Sequence, residues 1–477
     1  MPNNMDVDNE NARELRTADK PSTSPAMGAK AGEEHQAFSP ELLSMYYTRL
    51  FPFKQMFEWL SYANQPASEA GGGAGGDLFL RREFSFTIED DIYIRYLCFR
   101  DAKEFEQQVT KKQPHKIDIG AVYTLPPKDH VAVKPGGFYP VERELVFDVD
   151  LTDYDDVRTC CSGAKICRKC WSYMVMAVKV MDRGLREDFG FRNLLWIYSG
   201  RRGVHCWVAD AAARGLTNDA RSAVADYFSL VAGNENQARK VKVPWPIHPS
   251  LRRAYTILEP LFVEHVISEE GQGLLAEPEQ WKKVLEMLPY QGMADDIYTR
   301  WQGSGSSEEE KWEELVQLME KRAAKERGQK NKKLKAGDQV TPEQWRHEVV
   351  FAQAYPRLDV NVSKCRNHLL KSPFAAHPKA RLGSCCITGR VCVPIDPDRV
   401  EDFDPFSVPT LGELAKQIDD YDHRFGQEAK GTPDVDKTDM KKYIGQMEDL
   451  FLKPLRRSLR SRMRHLNEER AAAEIDF

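Results

Sequence analysis

From Phe84 the apolar positions alternate in short runs, FSFTI, DIYIRYLCF, KIDIGAVYTL and ELVFDVDL, the period-two pattern of half-buried strands. Before them, SPELLSMYYTRLFPFKQMFEWLSY (39–62) carries Ser39 as a helix N-cap, then Pro40, then a helical apolar stripe. WSYMVMAVKVMDRGL (171–185) reads as a helix, LLWIYSGRRGVHCWVAD (194–210) as two strands around a Gly-bearing turn, and AAARGLTNDARSAVADYFSLV as another helix. Residues 84–230 therefore alternate strands with helices, an α/β layout.

Between about 233 and 350 the strand signal fades and charged helical patterns take over, with Ser307 and Glu310 spaced as a capping box. The α/β character returns at YPRLDVNVSK and GRVCVPID, where Asp359 ends a short apolar pattern that reads as a strand. KKYIGQMEDLFLKPLRRSLRSRMRHL reads as a basic amphipathic helix. Residues 1–38 are expected to be a disordered tail, and the Gly-rich 64–76 a flexible insertion. The run KNKKLK (330–335) reads as a solvated linker, with nucleic-acid contact or nuclear import as alternatives. The resulting division is 1–38 tail, 39–232 first part of an α/β domain, 233–350 helical subdomain, and 351–477 second part of the α/β domain with the basic helix.

Composition narrows the class. At 477 residues, 41% hydrophobic and 30% charged, the chain suits a soluble globular protein with a large core. A net charge of −5 excludes a general polycation, so nucleic-acid contact requires a local basic surface. No apolar run reaches the roughly 18 residues of a membrane span, and MPNNMDVDNENARELRTADK lacks the apolar core of a secretion signal. Ten cysteines are too sparse for a disulfide scaffold, yet four fall within eleven positions, which points to a metal site in a reducing compartment.

Four segments carry chemistry. FDVDLTDYDD places five carboxylates in nine residues. On a strand, Asp148 and Asp150 share one face while Val149 faces the core. Paired carboxylates call for a hard cation, magnesium or manganese, and strand-borne Asp pairs suit a two-metal site. DxD is also the metal motif of glycosyltransferases, and a solvated loop is the plain alternative. Asp153, Asp155 and Asp156 read as solvated caps of the next helix. CCSGAKICRKCW offers Cys160, Cys161, Cys167 and Cys170 as four thiolates for a structural tetrahedral zinc, clipped on one loop. YSGRRGVHCW sets Ser199, Arg201, Arg202 and His205 as donors around Gly200 and Gly203, which let backbone approach a phosphate. In KSPFAAHPK, Lys371 and His377 offer two more basic groups.

Together, FDVDLTDYDDVRTCC, CRKCW, SGRRGVHCWV, YPRLDVNVSK and HLLKSPFAAHPK resemble the catalytic small subunit of eukaryotic and archaeal DNA primase, with REFSFTIEDDIYIRY and KIDIGAVY upstream. The resemblance spans about residues 40–455 in the family's order. It implies a mixed α/β primase catalytic fold with an inserted helical subdomain, and RNA primer synthesis on single-stranded DNA from ribonucleoside triphosphates. It places Asp148, Asp150 and Asp359 at two catalytic magnesium or manganese ions, and Ser199, Arg201, Arg202 and His205 at the nucleotide phosphates. Lys371, His377 and His368 match other nucleotide contacts, Glu83, Tyr93 and Arg95 further pocket residues, and the four cysteines the zinc ligands. The partners it implies are a large subunit with an iron–sulfur domain and DNA polymerase alpha, in the nucleus. Two departures stand out: ARLGSCCI (380–387) is extra, and Cys365 replaces a usual Gly, which would strain the loop if that position needs a positive φ.

Overall fold

The fold is built around two antiparallel sheets whose strands follow the alternating segments. The computed structural model describes residues 39–62, 78–231, 241–328, 341–376 and 390–475. The expected tail, the Gly-rich loop, KNKKLK, His377 and residues 380–387 lie outside these. The first sheet comprises β1 (Arg82–Thr87), β2 (Tyr93–Leu97), β3 (Lys116–Tyr123) and β4 (Pro140–Glu142). The second contains β5 (Leu145–Asp150), β6 (Leu194–Tyr198) and β7 (Gly203–Val208). Two short late strands complete them: β8 (Leu370–Lys371) joins β3 of the first sheet, and β9 (Pro394–Ile395) joins β6 of the second.

The first sheet runs β2-β1-β3-β4 and the second β5-β7-β6-β9. Alternation of strands with helices does not produce parallel pairing here. The Ser199–Arg202 turn is too short for a crossover, so β6 and β7 must run antiparallel. On β5 the pleat works as read from the sequence: Phe147 and Val149 are fully buried, while Asp148 and Asp150 keep 27% and 30% of their side-chain exposure. Burying residues of this size stabilises by about 1.5–3 kcal/mol each, enough to fix the register and thereby the acids' face. The helix Arg168–Glu187 packs its long apolar stripe into the same core.

Three local expectations change. The segment from Ala211 forms two helices, Ala211–Arg214 and Asn218–Tyr227. The Thr217 hydroxyl accepts from the Ala220 amide at 3.2 Å, so a new N-terminus starts where one helix was expected. Residues 40–61 likewise split into Pro40–Arg49 and Phe53–Ser61 around Pro52. Asp359 ends no strand; it N-caps the short helix Val360–Lys364, accepting from the Asn361 amide at 3.0 Å. Ser39 caps the first helix as expected (3.3 Å from the Leu42 amide), and the Ser307–Glu310 capping box forms in both directions at 3.0 and 3.2 Å. The described residues from 241 to 354 contain helices and no strand.

Candidate active site

The β5–β7 register sets Asp148 opposite His205 and Asp150 opposite Gly203. The Asp359 amide donates to the Asp148 carbonyl at 3.2 Å, and the Ser363 hydroxyl donates to the Val146 carbonyl at 2.6 Å. The short helix is thus fastened along β5, bringing the third acid to the first two. Burial, then the charges of Asp150 and Asp359, push the Asp148 carboxyl up to about 7, against the pull of Lys371. This crowding of like charge is what a hard cation would relieve, so the donor set fits magnesium or manganese.

The Ser199–Arg202 turn closes beside them. Gly200 holds φ = 86°, a left-handed value that glycine takes without strain. A Cβ on Gly203 would meet the Val149 carbonyl oxygen at 2.5 Å, so glycine is what permits β7 to lie against β5 there. The Ser199 hydroxyl accepts from the Gly203 amide at 3.0 Å, leaving its O–H to donate elsewhere. Arg202 does not stand open for phosphate: its Nε contacts both Asp150 oxygens at 2.7 and 2.8 Å. Asp150 also accepts from the Thr152 amide and hydroxyl, each at 2.8 Å.

His205 is 5% exposed, with Nε2 3.5 Å from Asp148 Oδ1. Burial and then the positive charges of Lys371 and Lys116 push its pKa down to about 3. It is therefore a neutral dipolar group at neutral pH. Lys371 reaches from β8 to within 3.5 Å of the Ser199 carbonyl, and burial lowers its pKa.

The other residues singled out from the sequence sit on the first sheet or its edge. Glu83 is fully buried on β1; Arg95 on β2 bonds to it at 3.1 Å. Tyr93, also on β2, is 48% exposed. His368 lies in the turn before β8, its amide 3.4 Å from the Cys365 carbonyl, and burial lowers its pKa. Cys365 has φ = −107°, an ordinary extended value, so the departure from Gly brings no backbone strain.

The four cysteines converge: their sulfur atoms all lie within 4.8 Å of one another, and Cys167 and Cys170 are 3.9 Å apart. Tetrahedral zinc with bonds near 2.3 Å requires sulfur separations of about 3.8 Å, so the quartet can hold such an ion. Its supports were not legible in the loop. Gln272, from the helical stretch, donates to the Cys160 sulfur at 3.4 Å and accepts from the Thr159 amide at 2.8 Å. Arg158 Nη1 donates to the Lys165 carbonyl at 3.0 Å and lies 3.9 Å from the Cys170 sulfur.

Asp155 is exposed as expected, but neither it nor Asp156 caps the next helix. Asp155 pairs with Arg158 and accepts from the Gly163 amide at 2.9 Å, while Asp156 pairs with Arg357. The helix at Arg168 begins instead on Cys167, whose amide donates to the Cys170 sulfur at 3.1 Å. Asp153 remains exposed beside the acids; the surrounding protein, Asp150 and Asp359 raise its pKa to about 6. Two more residues escaped the sequence reading. Arg357 ties the acid run to the segment before Asp359, donating to the Asp153 carbonyl at 2.8 Å. Asp118, buried on β3 opposite Lys371, accepts from the Ser85 hydroxyl at 3.1 Å. Its one signal was a carboxylate inside the apolar run KIDIGAVY.

Three acids gathered at the end of β5, a Gly-Arg turn and an inward lysine suit metal-assisted phosphoryl or nucleotidyl transfer. The family profile described as DNA primase small subunit matches residues 147–397. The DNA primase small subunit of Drosophila melanogaster is 40% identical over 444 residues, covering 89% of this chain and 94% of that protein. The Schizosaccharomyces pombe subunit is 36% identical, covering 83% of this chain and 81% of its own length. The Saccharomyces cerevisiae subunit is 32% identical, covering 91% and 97%. This chain belongs to the DNA primase small-subunit family.

Proposed function

We propose that this chain is the catalytic subunit that makes short RNA primers on single-stranded DNA from ribonucleoside triphosphates. The observation that carries the reading is the meeting of Asp148, Asp150 and Asp359 beside the Ser199–Gly203 turn, with Lys371 entering from the other sheet. On this reading the three acids hold two magnesium or manganese ions. The chemistry supplied by such a bound pair is activation of the primer 3′-hydroxyl and stabilisation of the leaving pyrophosphate.

The chain's own groups do the rest. Gly200 and Gly203 keep the turn close, so a triphosphate meets backbone without a Cβ in the way. The Ser199 hydroxyl donates to phosphate oxygen. Arg202 exchanges part of its hold on Asp150 for phosphate, so its charge is prepositioned and partly neutralised until the nucleotide arrives. His205 donates as a neutral imidazole. Arg201 and Lys371 add positive charge where negative charge grows. Glu83, Tyr93, Arg95, His368 and His377 complete the nucleotide pocket. Cys160, Cys161, Cys167 and Cys170 hold a structural zinc, with no coordination position left open for catalysis.

The family implies a larger partner subunit. On our reading it carries an iron–sulfur domain and the pair assembles with DNA polymerase alpha in the nucleus. No helix among the described residues is long and apolar enough to cross a membrane.

The test is primer synthesis on single-stranded DNA with ribonucleotides and magnesium or manganese, with and without the large subunit. Wild type is compared with an Asp148→Asn, Asp150→Asn double variant. Template-dependent RNA products lost in the variant, at unchanged zinc content, are expected. Products of equal yield from the variant would overturn the metal assignment.

A further inference from the structure

The helix Lys453–Ile475 is pinned to the body by one side only. Leu455 is 3% exposed, Leu459 packs on the core, and the Asn193 amide donates to the Ser458 hydroxyl at 3.4 Å. On that side Arg456 is answered by two acids, Glu58 at 3.3 Å and Glu448 at 2.7 Å. On the opposite side Lys453 pairs with Asp449 at 2.5 Å, and the three arginines beyond it on that side are left without such a partner among the described residues. Arg457, Arg460 and Arg464 are all exposed and, unlike Arg456, none forms an ion pair among the described residues. Their spacing of three and four residues places them on one stripe, about 4.5 and 6 Å apart along the axis.

This stripe does nothing for the helix that carries it. Like charges at such spacings destabilise a helix by about 0.2–0.5 kcal/mol per pair. Residues 453–466 hold one lysine, five arginines and no acid, whereas Glu468, Glu469 and Glu474 follow toward the C-terminal end. That order opposes the macrodipole, which favours cations at the C-terminal end. In a chain of net charge −5, three exposed arginines in line without an ion-pair partner among the described residues fit an anionic ligand with repeating charge along a line.

We propose that Arg457, Arg460 and Arg464 seat the phosphodiester backbone of a single-stranded nucleic acid outside the catalytic pocket. Ser458 touches Asn193 just before β6, whereas the phosphate turn follows that strand's other end, so the seat is remote from the acids. It is a holding contact for a strand whose reacting end lies elsewhere. The inference rests on the reading that nucleic acid is the substrate.

The test is salt-dependent binding of the full chain to fluorescent 25-nucleotide oligothymidylate and oligouridylate, followed by anisotropy. Each phosphate neutralised on a single strand contributes about 0.7 to the slope of log K against log salt. The Arg457→Glu, Arg460→Glu, Arg464→Glu variant should therefore lose about 2 from that slope, with unchanged thermal unfolding. Loss with oligothymidylate alone assigns the seat to the DNA template; loss with oligouridylate alone assigns it to the RNA product. If charge reversal unfolds the helix, the triple Gln variant must show the same loss. An unchanged slope overturns the proposal. An unchanged slope with loss of large-subunit binding overturns it in favour of an acidic polypeptide. A wild-type chain that binds the oligonucleotide through this stripe yet extends no primer would overturn the proposed function and leave the seat standing.

Discussion

Asp359 and Asp148 are joined through the main chain, the Asp359 amide donating to the Asp148 carbonyl at 3.2 Å. Two acids more than two hundred positions apart are thus set by backbone hydrogen bonding, so neither carboxylate is spent on holding the pair together. Asp359 is also a helix cap, and asparagine caps equally well. Asp359→Asn should therefore fold normally in metal-free buffer while removing one of three negative charges. Manganese should raise the unfolding temperature of the wild type more than that of the variant, and templated nucleotide incorporation should fall by about 10³-fold, the equivalent of roughly 4 kcal/mol of lost metal-assisted stabilisation. Equal manganese shifts in thermal melts would exclude Asp359 from the ion site.

Gly203→Ala should cost both stability and activity, because its Cβ lands 2.5 Å from the Val149 carbonyl oxygen, between the two acids of β5. Relieving that clash must separate β5 from β7 where Asp150 faces the turn. Overpacking of this kind costs about 1–3 kcal/mol, measurable by urea unfolding. Gly215→Ala is the matched control: φ there is −77° and the nearest atom to a new Cβ is 3.5 Å away, so it should be neutral or slightly stabilising.

The cysteine loop should lose its metal faster without Gln272. That side chain grips the Cys160 sulfur and the Thr159 amide from over a hundred residues away, and removing such outer partners typically weakens metal affinity by 10–100-fold. Gln272→Ala should release zinc to a chromogenic chelator at least ten times sooner than wild type. Release at the wild-type rate would show that the loop holds the ion unaided.

A buried ion pair fixes the acid limit of the fold. Arg82 and Glu144 are fully buried and bonded at 2.9 and 3.0 Å, with the Tyr62 hydroxyl donating to the same carboxylate. Burial alone would raise the Glu144 pKa, but Arg82 outweighs it and brings it down to about 2. A folded pKa below the unfolded one gives stability that is complete above about 4.5 and lost as pH falls toward 2. Glu144→Gln should cost about 3–5 kcal/mol at neutral pH by stranding Arg82. Its stability should also decline less between pH 5 and 3, as read from denaturant midpoints.

What the sequence made legible was local. The pleat that turns Val149 inward and Asp148 outward, the hairpin around Gly200 and Gly203, the cysteine spacing and the capping box at Ser307 depend on neighbours a few residues apart. What it hid was long-range. Asp359 looked like a strand end because its apolar neighbours do pack, yet they pack from one turn of helix on β5. Asp156 looked solvated because its partner, Arg357, is 201 positions away and is identified only by folding. Arg202 looked like a free phosphate ligand because the short gap between β7 and β5 is invisible in a linear pattern. The pairing of Lys371 with Asp118 across β8 and β3 could not be read from either segment alone.

Lys371 belongs to one sheet by its backbone pairing and reaches the other through its side chain, at the Ser199 carbonyl. A triphosphate gripped by both would act as a strut across the joint between the sheets. Occupancy would then slow amide hydrogen exchange in β3 and β1 as well as in β6 and β7, although only the second sheet bears the paired aspartates. The pocket would be a mechanical clasp: an empty site leaves the halves free to breathe, and each incoming nucleotide locks them for the duration of one bond-forming step.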